Sequence, residues 1–194
     1  MAKDRSGFAI LFKAVKAKVK VEVSRIDTNS SSTIDSTMSS IIQQLDEDPL
    51  FKDEAYYGCV GGANGCVYGI PFKASRVVEF NSSTGTSREF GQDLEDSGSK
   101  WTGGVLGLDK CIYGCPDHAD TILKIDPSDE SVAEINIDVP IEGSRKYRSA
   151  VVHPTNNNIY FIPSNAEQIL VYNTTTNKCY YIQDTFEGYN KWEG

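Results

Sequence analysis

The sequence lacks the patterns that mark several common classes of protein. No apolar run reaches the roughly 18–20 residues that a membrane-spanning helix needs. The chain has two histidines and five cysteines, and no two cysteines have the short paired spacing typical of zinc sites. No phosphate-binding glycine loop, dinucleotide-binding glycine motif or serine nucleophile motif occurs. These absences argue against a membrane-spanning protein, a zinc protein and a nucleotide-dependent enzyme.

Composition and charge fit a single globular domain with an appendage. The chain has 194 residues, of which 39% are hydrophobic and 24% charged, so wholesale disorder is excluded. The net charge of −8 makes nucleic acid an unsuitable partner for the chain as a whole. Residues 1–26 nevertheless carry a net charge of +5, and the remainder carries −13. The basic segment predicts either contact with an anionic surface or a solvated strand edge whose lysines limit aggregation.

The N-terminus does not match a secretory signal. Lys13 interrupts the apolar run after five residues, short of the roughly 7–15 that a signal needs. We therefore expect a cytoplasmic location, although the basic, acid-poor segment is also compatible with an organellar presequence. The five cysteines are expected to be small buried hydrophobes in a reducing compartment. Sequons at Asn29, Asn81 and Asn173 arise easily by chance in a chain rich in Ser, Thr and Asn.

An internal repeat organises residues 55–194. An aromatic residue recurs at a spacing of 45, 46 and 45 residues, at Tyr56, Trp101, Tyr147 and Trp192. Each full unit also carries an apolar residue followed by tyrosine, then a proline and an alanine; the tyrosines are Tyr68, Tyr113 and Tyr160. Such self-similarity at a fixed period is typical of repeat architectures.

Each unit is expected to form four short strands. In the second unit we predict strands at 103–107, 111–115, 121–126 and 131–136, separated by Gly-, Pro- and Asp-containing turns. Four strands in about 45 residues is the size of a β-propeller blade. We therefore predict an all-β fold, a partial β-propeller with blades at 55–99, 100–145 and 146–190 and the start of a fourth at 191–194. The three tyrosines should occupy equivalent positions on second strands.

The repeat resembles a known family. The pattern W-x-G-G-V-L, followed by I-Y-G-x-P-x-x-A-x-x-I-L-x-I-D-P, is similar to repeats of the streptogramin-lyase-like and YVTN/NHL-like propellers. The resemblance covers residues 55–194 and implies the propeller architecture. A lyase of this kind would present a histidine and metal-binding acids toward the channel mouth. No residue here matches that set position by position, so we assign no catalytic residue, no metal and no cofactor.

The first 54 residues differ in kind from the repeats. Apolar residues alternate with lysines and other polar residues over 15–23, which predicts a half-buried strand. After a polar loop, Ile34, Met38, Ile41, Ile42 and Leu45 lie on one face of a predicted helix near 33–46. That face is expected to dock on the first blade, or alternatively to bind a partner.

Three blades cannot close a ring, because closed propellers have about four to eight. Each blade normally buries both faces against its neighbours, so an incomplete ring exposes two apolar faces. We expect these to include Val60, Val67 and Val77 on the first blade and Ile159, Ile169 and Val171 on the last. A protein partner, self-association or further blades would then complete the propeller.

One edge of the blades is predicted to bind a ligand or partner. The loops from strand two to three, and from strand four to the next blade, should share this edge, while His153 should lie at the opposite edge. Asp117-His118-x-Asp120 suggests a metal or acid–base site, or alternatively a solvated loop, and the repeated aromatics could instead pack between blades. The candidate residues are Tyr56, Trp101, Tyr147, Trp192, Lys73, Asp117, His118, Asp120, Asn165 and Glu167.

These features favour a non-enzymatic propeller module for protein–protein interaction or scaffolding. One alternative is a streptogramin-lyase-like or lactonase-like enzyme whose catalytic residues lie partly in other blades. Another is a propeller that binds a small molecule or glycan through the repeated aromatics. A divalent metal in the channel would favour the enzyme.

Overall fold

A computed structural model of the chain describes residues 55–81, 83–95 and 98–192. The segment at 1–54, with its predicted strand and helix, lies outside the described residues. The described part forms twelve strands and no helix, so it contains no helix capable of crossing a membrane. The strands are β1 (Tyr56–Gly61), β2 (Cys66–Pro71), β3 (Val77–Asn81), β4 (Thr86–Phe90), β5 (Trp101–Leu106), β6 (Ile112–Pro116), β7 (Thr121–Asp126), β8 (Ser131–Asn136), β9 (Tyr147–Val152), β10 (Asn158–Pro163), β11 (Leu170–Asn173) and β12 (Lys178–Tyr181).

The strands form three antiparallel sheets of four consecutive strands each, which confirms the predicted all-β blades. The first strand of each sheet is innermost, because β1 packs against β5 and β5 against β9. In the second sheet the first strand begins at Trp101, two residues earlier than predicted. It does so because Trp101 already pairs with Pro116.

Strand register confirms the equivalence of the three repeated tyrosines. Each faces a valine on the innermost strand, in the pairs Val60–Tyr68, Val105–Tyr113 and Val151–Tyr160. Each tyrosine also pairs with a residue of the third strand, and that residue pairs with one of the fourth. Each blade therefore has a row of four paired residues whose side chains lie on the same side of the sheet. The rows are Val60–Tyr68–Glu79–Arg88, Val105–Tyr113–Lys124–Ala133 and Val151–Tyr160–Val171–Tyr180.

The hydrophobic core lies between the blades in two clusters. One joins the first and second blades and includes Tyr68, Ile70 and Ile112; the other joins the second and third and includes Tyr113 and Phe161. Ile112 and Tyr113 are consecutive on β6 and enter different clusters, because alternate side chains of a strand point to opposite faces. The middle blade is therefore buried on both faces.

The predicted open-face residues need correction. Val60, Val77, Ile159 and Val171 are all buried. Val60 and Val77 pack toward the second blade, and Ile159 lies in the cluster between the second and third. The prediction is wrong for these four. For Val60, Val77 and Ile159 it did not fix which side of each strand faces a neighbour, whereas Val171 is completely buried although it shares a row with the exposed Val151 and Tyr180.

Glycines allow the innermost strands to approach one another closely. Gly103 has a φ of +57°, and a Cβ atom there would lie 2.7 Å from the Arg148 carbonyl oxygen. A Cβ on Gly58 would lie 2.8 Å from the Cα of Gly103. Both glycines sit where the register shifts between the first and second strands of their sheets. These bulges bring backbone against backbone where a larger residue would clash.

The turns between third and fourth strands share one side-chain cap. Asn81 Oδ1 accepts a hydrogen bond from the Ser83 N–H at 2.9 Å, and Asp126 Oδ1 accepts one from the Ser128 N–H at 2.9 Å. Asn173 Oδ1 accepts the corresponding bond from the Thr175 N–H at 3.1 Å. Asn and Asp favour such turns because their short side chains replace a backbone acceptor. The sequon asparagines at 81 and 173 thus have a structural role.

Candidate functional site

Backbone hydrogen bonds bring the predicted loops together along one edge, which we call the upper edge. The Lys100 carbonyl accepts bonds from the N–H groups of residues 117, 118 and 119 at 3.1, 3.0 and 3.1 Å. Lys100 N–H in turn donates to the Phe72 carbonyl of the preceding blade at 2.9 Å. Equivalent bonds run from Lys146 N–H to Asp117 O at 3.0 Å and from Lys191 N–H to Ser164 O at 3.1 Å. Each blade's loop is therefore tied to the start of the next blade.

A buried lysine strengthens these connections and was missed by sequence reasoning. Lys146 Nζ donates to the carbonyls of His118 and Gly143, both at 3.0 Å, and to Asp120 Oδ1 at 3.1 Å. Its side chain is only 1% exposed. Lys100 and Lys191 also donate to nearby glycine carbonyls. The sequence feature that could have revealed this role is the lysine that precedes the repeated aromatics at 101, 147 and 192.

The structure places three of the four repeated aromatics in the interior. Trp101 and Tyr147 are almost completely buried. Their polar atoms donate to strand-end carbonyls, Trp101 Nε1 to Thr121 O at 2.7 Å and Tyr147 OH to Gln168 O at 3.1 Å. Tyr56 is also buried, whereas Trp192 is 42% exposed. Of the four rings, only Trp192 offers substantial surface to a ligand.

Asp117, His118 and Arg148 form the most chemically distinctive cluster of the upper edge. Asp117 is 1% exposed, and its Oδ2 lies 2.7 Å from His118 Nδ1. Its other carboxylate oxygen, Oδ1, lies 3.5 Å from Arg148 Nε. Sequence reasoning proposed Asp117 and His118 but missed Arg148, which β9 brings from the next blade. A carboxylate that orients an imidazole in this way can support proton transfer at the ring's other nitrogen.

Aromatic side chains extend the cluster toward the first blade. The rings of Phe72 and His118 are 6.2 Å apart, edge to face, and those of Tyr57 and Phe72 are 5.6 Å apart. A cleft of about 470 Å³ opens beside His118, with Leu94 and Glu134 among its lining residues. The upper edge thus combines an apolar ledge, a histidine and space for a small ligand.

The other predicted site residues hold loops or face solvent. Asp120 binds Lys146, as described above, and Lys73 is exposed. Asn165 donates from Nδ2 to the Ser144 carbonyl at 3.1 Å, and the backbone carbonyl of Glu167 accepts a bond from Phe186 N–H at 2.6 Å. These contacts connect loops within the third blade and between it and the second.

Among the described ranges, no group of three or more His, Cys, Asp or Glu side chains is arranged to hold a metal ion. His153 follows β9, at the edge opposite the β6–β7 loop that carries His118. The two described histidines therefore lie at opposite edges of the blades and do not form one site.

The cysteines behave as core residues. All five are free thiols; four are buried and Cys59 is half-buried. Burial raises the pKa of Cys111 to about 12 and that of Cys179 to about 11. Because the thiolate is the nucleophilic form, these side chains are unreactive at neutral pH. The prediction that the cysteines serve as small hydrophobes is confirmed for the four buried ones.

Each of the first two blades buries one face against the blade that follows it, whereas the equivalent face of the third blade is partly exposed. Val60 is 8% exposed, but its equivalent Val151 is 53% exposed. Trp101 is completely buried, whereas Trp192, which begins the next repeat, is 42% exposed. We call this surface the open face; it comprises Val151, Tyr160, Ile162, Tyr180, Phe186 and Trp192. Val60, Tyr68 and Ile70 of the first blade, which correspond to Val151, Tyr160 and Ile162, contribute to the core shared with the second blade.

The open face carries no charged side chain in its central row. The equivalent row of the first blade has Glu79 and Arg88, and Arg88 also bridges to Glu130 of the second blade at 2.6 Å. The second blade has Lys124 at the third position of its row. In the third blade those positions hold Val171 and Tyr180. The central row of this face therefore has no charged member, and within it Val171 is completely buried while Val151 and Tyr180 are 53% and 45% exposed.

The fold of residues 56–192 is that of three consecutive blades of a β-propeller. The chain is similar to virginiamycin B lyase from Staphylococcus aureus, with 17% identity and a TM-score of 0.58 over 71% of this chain and 44% of the lyase. A catalytically inactive form of that lyase with quinupristin gives 21% identity and a TM-score of 0.54 over 68% of this chain and 42% of the other. A nidogen/laminin complex gives 16% and 0.50, over 66% of this chain and 48% of the matched chain.

The chain spans less than half the length of each of these matched chains. No protein-family model matches the sequence, and neither does any curated protein. At these identities the likeness establishes the fold. It agrees with the resemblance to streptogramin-lyase-like propellers drawn from the repeats.

Proposed function

We propose that this chain is a non-enzymatic propeller module that binds a protein partner through the open face of its third blade. The observation that carries the proposal is the contrast between equivalent residues. Val151 and Trp192 are 53% and 42% exposed, whereas Val60 and Trp101 are buried by a neighbouring blade. A surface built like a blade interface is suited to burial against another protein.

The free energy favours covering this face. Burying about 400 Å² of apolar surface contributes on the order of 10 kcal/mol at about 25 cal/mol per Å². That is comparable with the whole stability of a typical domain. Exposed apolar patches of this size on soluble proteins commonly mark interaction sites. The nidogen/laminin structure provides one example of a propeller of this fold in a complex with another protein.

Photo-crosslinking in the native host tests the proposal. A photoreactive phenylalanine analogue at position 151 should give a discrete protein adduct when the full chain is expressed in cells. The same analogue at position 108 is a matched control, because Leu108 is 48% exposed but belongs to the β5–β6 turn of the second blade. The proposal predicts an adduct at position 151 that is absent at 108 and that Tyr180→Glu removes. Equal labelling at both positions, or none, would contradict it.

The Asp117–His118 pair favours one alternative function, a streptogramin-lyase-like or lactonase-like activity. The 2.7 Å contact orients the imidazole, and the adjacent cleft has room for a substrate. The test is an assay of lactone and cyclic-depsipeptide opening by the wild-type chain, by His118→Ala and by the control His153→Ala. A general acid–base group contributes about a hundredfold or more. A measurable rate that falls by that factor only in His118→Ala would establish the enzyme, whereas the binding module predicts no turnover.

A further inference from the structure

We propose that Asn64 is a deamidation site that the folded first blade protects, and that its acidic product weakens the blade in which it forms. Asn64 and Gly65 lie in the turn between β1 and β2, and both residues are exposed. An asparagine followed by glycine is especially open to this reaction, because glycine has no side chain to hinder attack by its backbone nitrogen. The inference concerns the first blade and is independent of the open face.

The reaction needs only water besides the chain itself. The Gly65 backbone nitrogen gives up its proton and bonds to Cγ of Asn64, and Nδ2 leaves as ammonia, which closes a succinimide ring. Water then opens the ring by adding a hydroxyl group to one of its carbonyl carbons and a hydrogen to the nitrogen. The product is aspartate or isoaspartate, so an amide becomes a carboxylate and nothing is oxidised or reduced.

Hydrogen bonds in the folded turn oppose the first step of this reaction. Gly65 N–H donates to Gly62 O at 3.3 Å, so the attacking nitrogen is engaged. The Asn64 amide is held at both ends, since Nδ2 donates to the Tyr68 hydroxyl at 2.8 Å and Oδ1 accepts the Cys66 N–H at 3.2 Å. The turn must therefore open before attack, and the population of the open state sets the rate of deamidation in the folded chain.

The product conflicts with the hydroxyl group that the amide meets. Tyr68 is completely buried, and its hydroxyl donates its hydrogen to Glu79 Oε2 at 2.6 Å while it accepts the Asn64 amide. Burial and the hydrogen bond to Glu79 raise the pKa of Tyr68, so the phenol stays protonated at neutral pH. A carboxylate at position 64 has no hydrogen to donate, so two carboxylates would compete for one hydroxyl hydrogen. This competition destabilises the folded first blade.

The second blade shows how a carboxylate is accommodated in the equivalent turn. Asp109 occupies the position of Asn64, and its Oδ2 accepts the Tyr113 hydroxyl at 2.7 Å. The residue paired with Tyr113 on the third strand is Lys124, whereas the first blade has Glu79 at that position. The first blade thus combines an amide with an acid, and the second combines an acid with a base. Deamidation would create an acid–acid combination that neither of these blades contains.

The first test follows deamidation of the full chain by mass spectrometry of its peptides, in native buffer and in urea at the same pH and temperature. Asn64 should deamidate in urea and roughly tenfold or more slowly in native buffer, as expected for a reaction that needs local opening. Tyr68→Phe removes the acceptor of Nδ2 and should speed the native reaction, whereas the matched variant Tyr113→Phe in the second blade should not. Asn156, which Asn157 follows in the equivalent turn of the third blade, is an internal control and should react more slowly in urea.

The second test measures the effect of the product on stability. Asn64→Asp reproduces the aspartate form and should reduce the folding equilibrium constant roughly tenfold in urea titrations, because a buried polar group loses a hydrogen-bond donor. In the Glu79→Gln background the same substitution should cost much less, since one carboxylate then remains for the hydroxyl. Asn156→Asp adds the same charge to the third blade and should have little effect. Circular dichroism of each variant verifies that it is folded.

Equal rates of Asn64 deamidation in native buffer and in urea would show that the fold gives no protection and would overturn the inference. The absence of deamidation in urea would overturn it as well, as would a Tyr113→Phe variant that speeds the native reaction as much as Tyr68→Phe. Wild-type stability of Asn64→Asp, or an equal loss in the Glu79→Gln background, would refute the claim that the product weakens the first blade.

Discussion

Replacing Lys146 with methionine removes a side chain that joins the β6–β7 loop of the second blade to the segment leading into the third blade. Its ammonium group donates to His118 O and Gly143 O at 3.0 Å each and to Asp120 Oδ1 at 3.1 Å. Methionine has a similar length and fills the space but provides no donor. The variant therefore tests the hydrogen bonds with little change in packing volume.

The expected loss follows from the groups left behind. Asp120 is 73% exposed and regains water, so its loss is small. The two carbonyls lose a charged donor at a site where the lysine side chain is 1% exposed. An unsatisfied buried polar group costs about 1–3 kcal/mol, so we expect the free energy of unfolding to fall by about 3 kcal/mol. For a chain of this size that corresponds to a decrease of about 10 °C in Tm.

Urea titration followed by circular dichroism measures this change, with thermal unfolding as a second measurement. Lys178→Met is the matched control, because Lys178 also meets a carboxylate, Asp138, at 3.1 Å, but its side chain is 70% exposed. That control should unfold like the wild type. If Lys146→Met has wild-type stability, the lysine contacts do not hold the blades together and the account of the upper edge is wrong.

Three further outcomes are expected. At neutral pH a thiol reagent should label Cys59 slowly and the other four cysteines only on unfolding, since burial raises the pKa of Cys111 to about 12 and that of Cys179 to about 11; rapid labelling of all five would contradict this. Hydrogen bonds from the Ser128 hydroxyl and N–H lower the pKa of Asp126, so its contribution to stability is present above the usual carboxyl range and is lost as the pH falls through the lowered value. Asp126→Asn keeps the turn cap, as asparagine does at the two equivalent turns, and should therefore lose less stability than the wild type in urea titrations between about pH 6 and pH 3. Gly103→Ala should lower stability by about 2 kcal/mol or more, because its Cβ would lie 2.7 Å from a backbone oxygen, and in the same assay it should exceed Gly85→Ala, where a Cβ meets nothing within 4 Å.

The repeat and the strands could be predicted because their signals are local. Alternating apolar residues, turn residues and a constant spacing of aromatics depend on neighbours along the chain, and these predicted the three four-stranded sheets that the structure shows. The side of each strand that faces a neighbour was harder to predict. Bulges at Gly58 and Gly103 add a residue to one strand and reverse the alternation beyond it. Val60 was thus expected on an open face but lies in the core.

The candidate site was predictable only in part. Asp117 and His118 are adjacent in sequence, so their pairing was visible. Arg148 joins them from another blade, and no pattern in the sequence specifies that distance. Lys146 was missed for a different reason: its partners include backbone carbonyls, which any residue possesses. The one signal was the lysine that precedes three of the four repeated aromatics, and only an alignment of the repeats reveals it.

The bonds along the upper edge connect each blade only with the blades beside it, and this arrangement has a consequence for hydrogen exchange. Cooperative opening in such a linear array is governed by interactions between nearest neighbours, so its units need not open together. The second blade is clamped from both sides, whereas the third has one covered face. Amides of β6 and β7 should therefore exchange through the rarest openings, and those of β11 and β12 through more frequent partial unfolding. A protein bound to the open face should slow hydrogen exchange in β11 and β12 first. Higher protection factors for these two strands would therefore detect binding before the bound protein is identified.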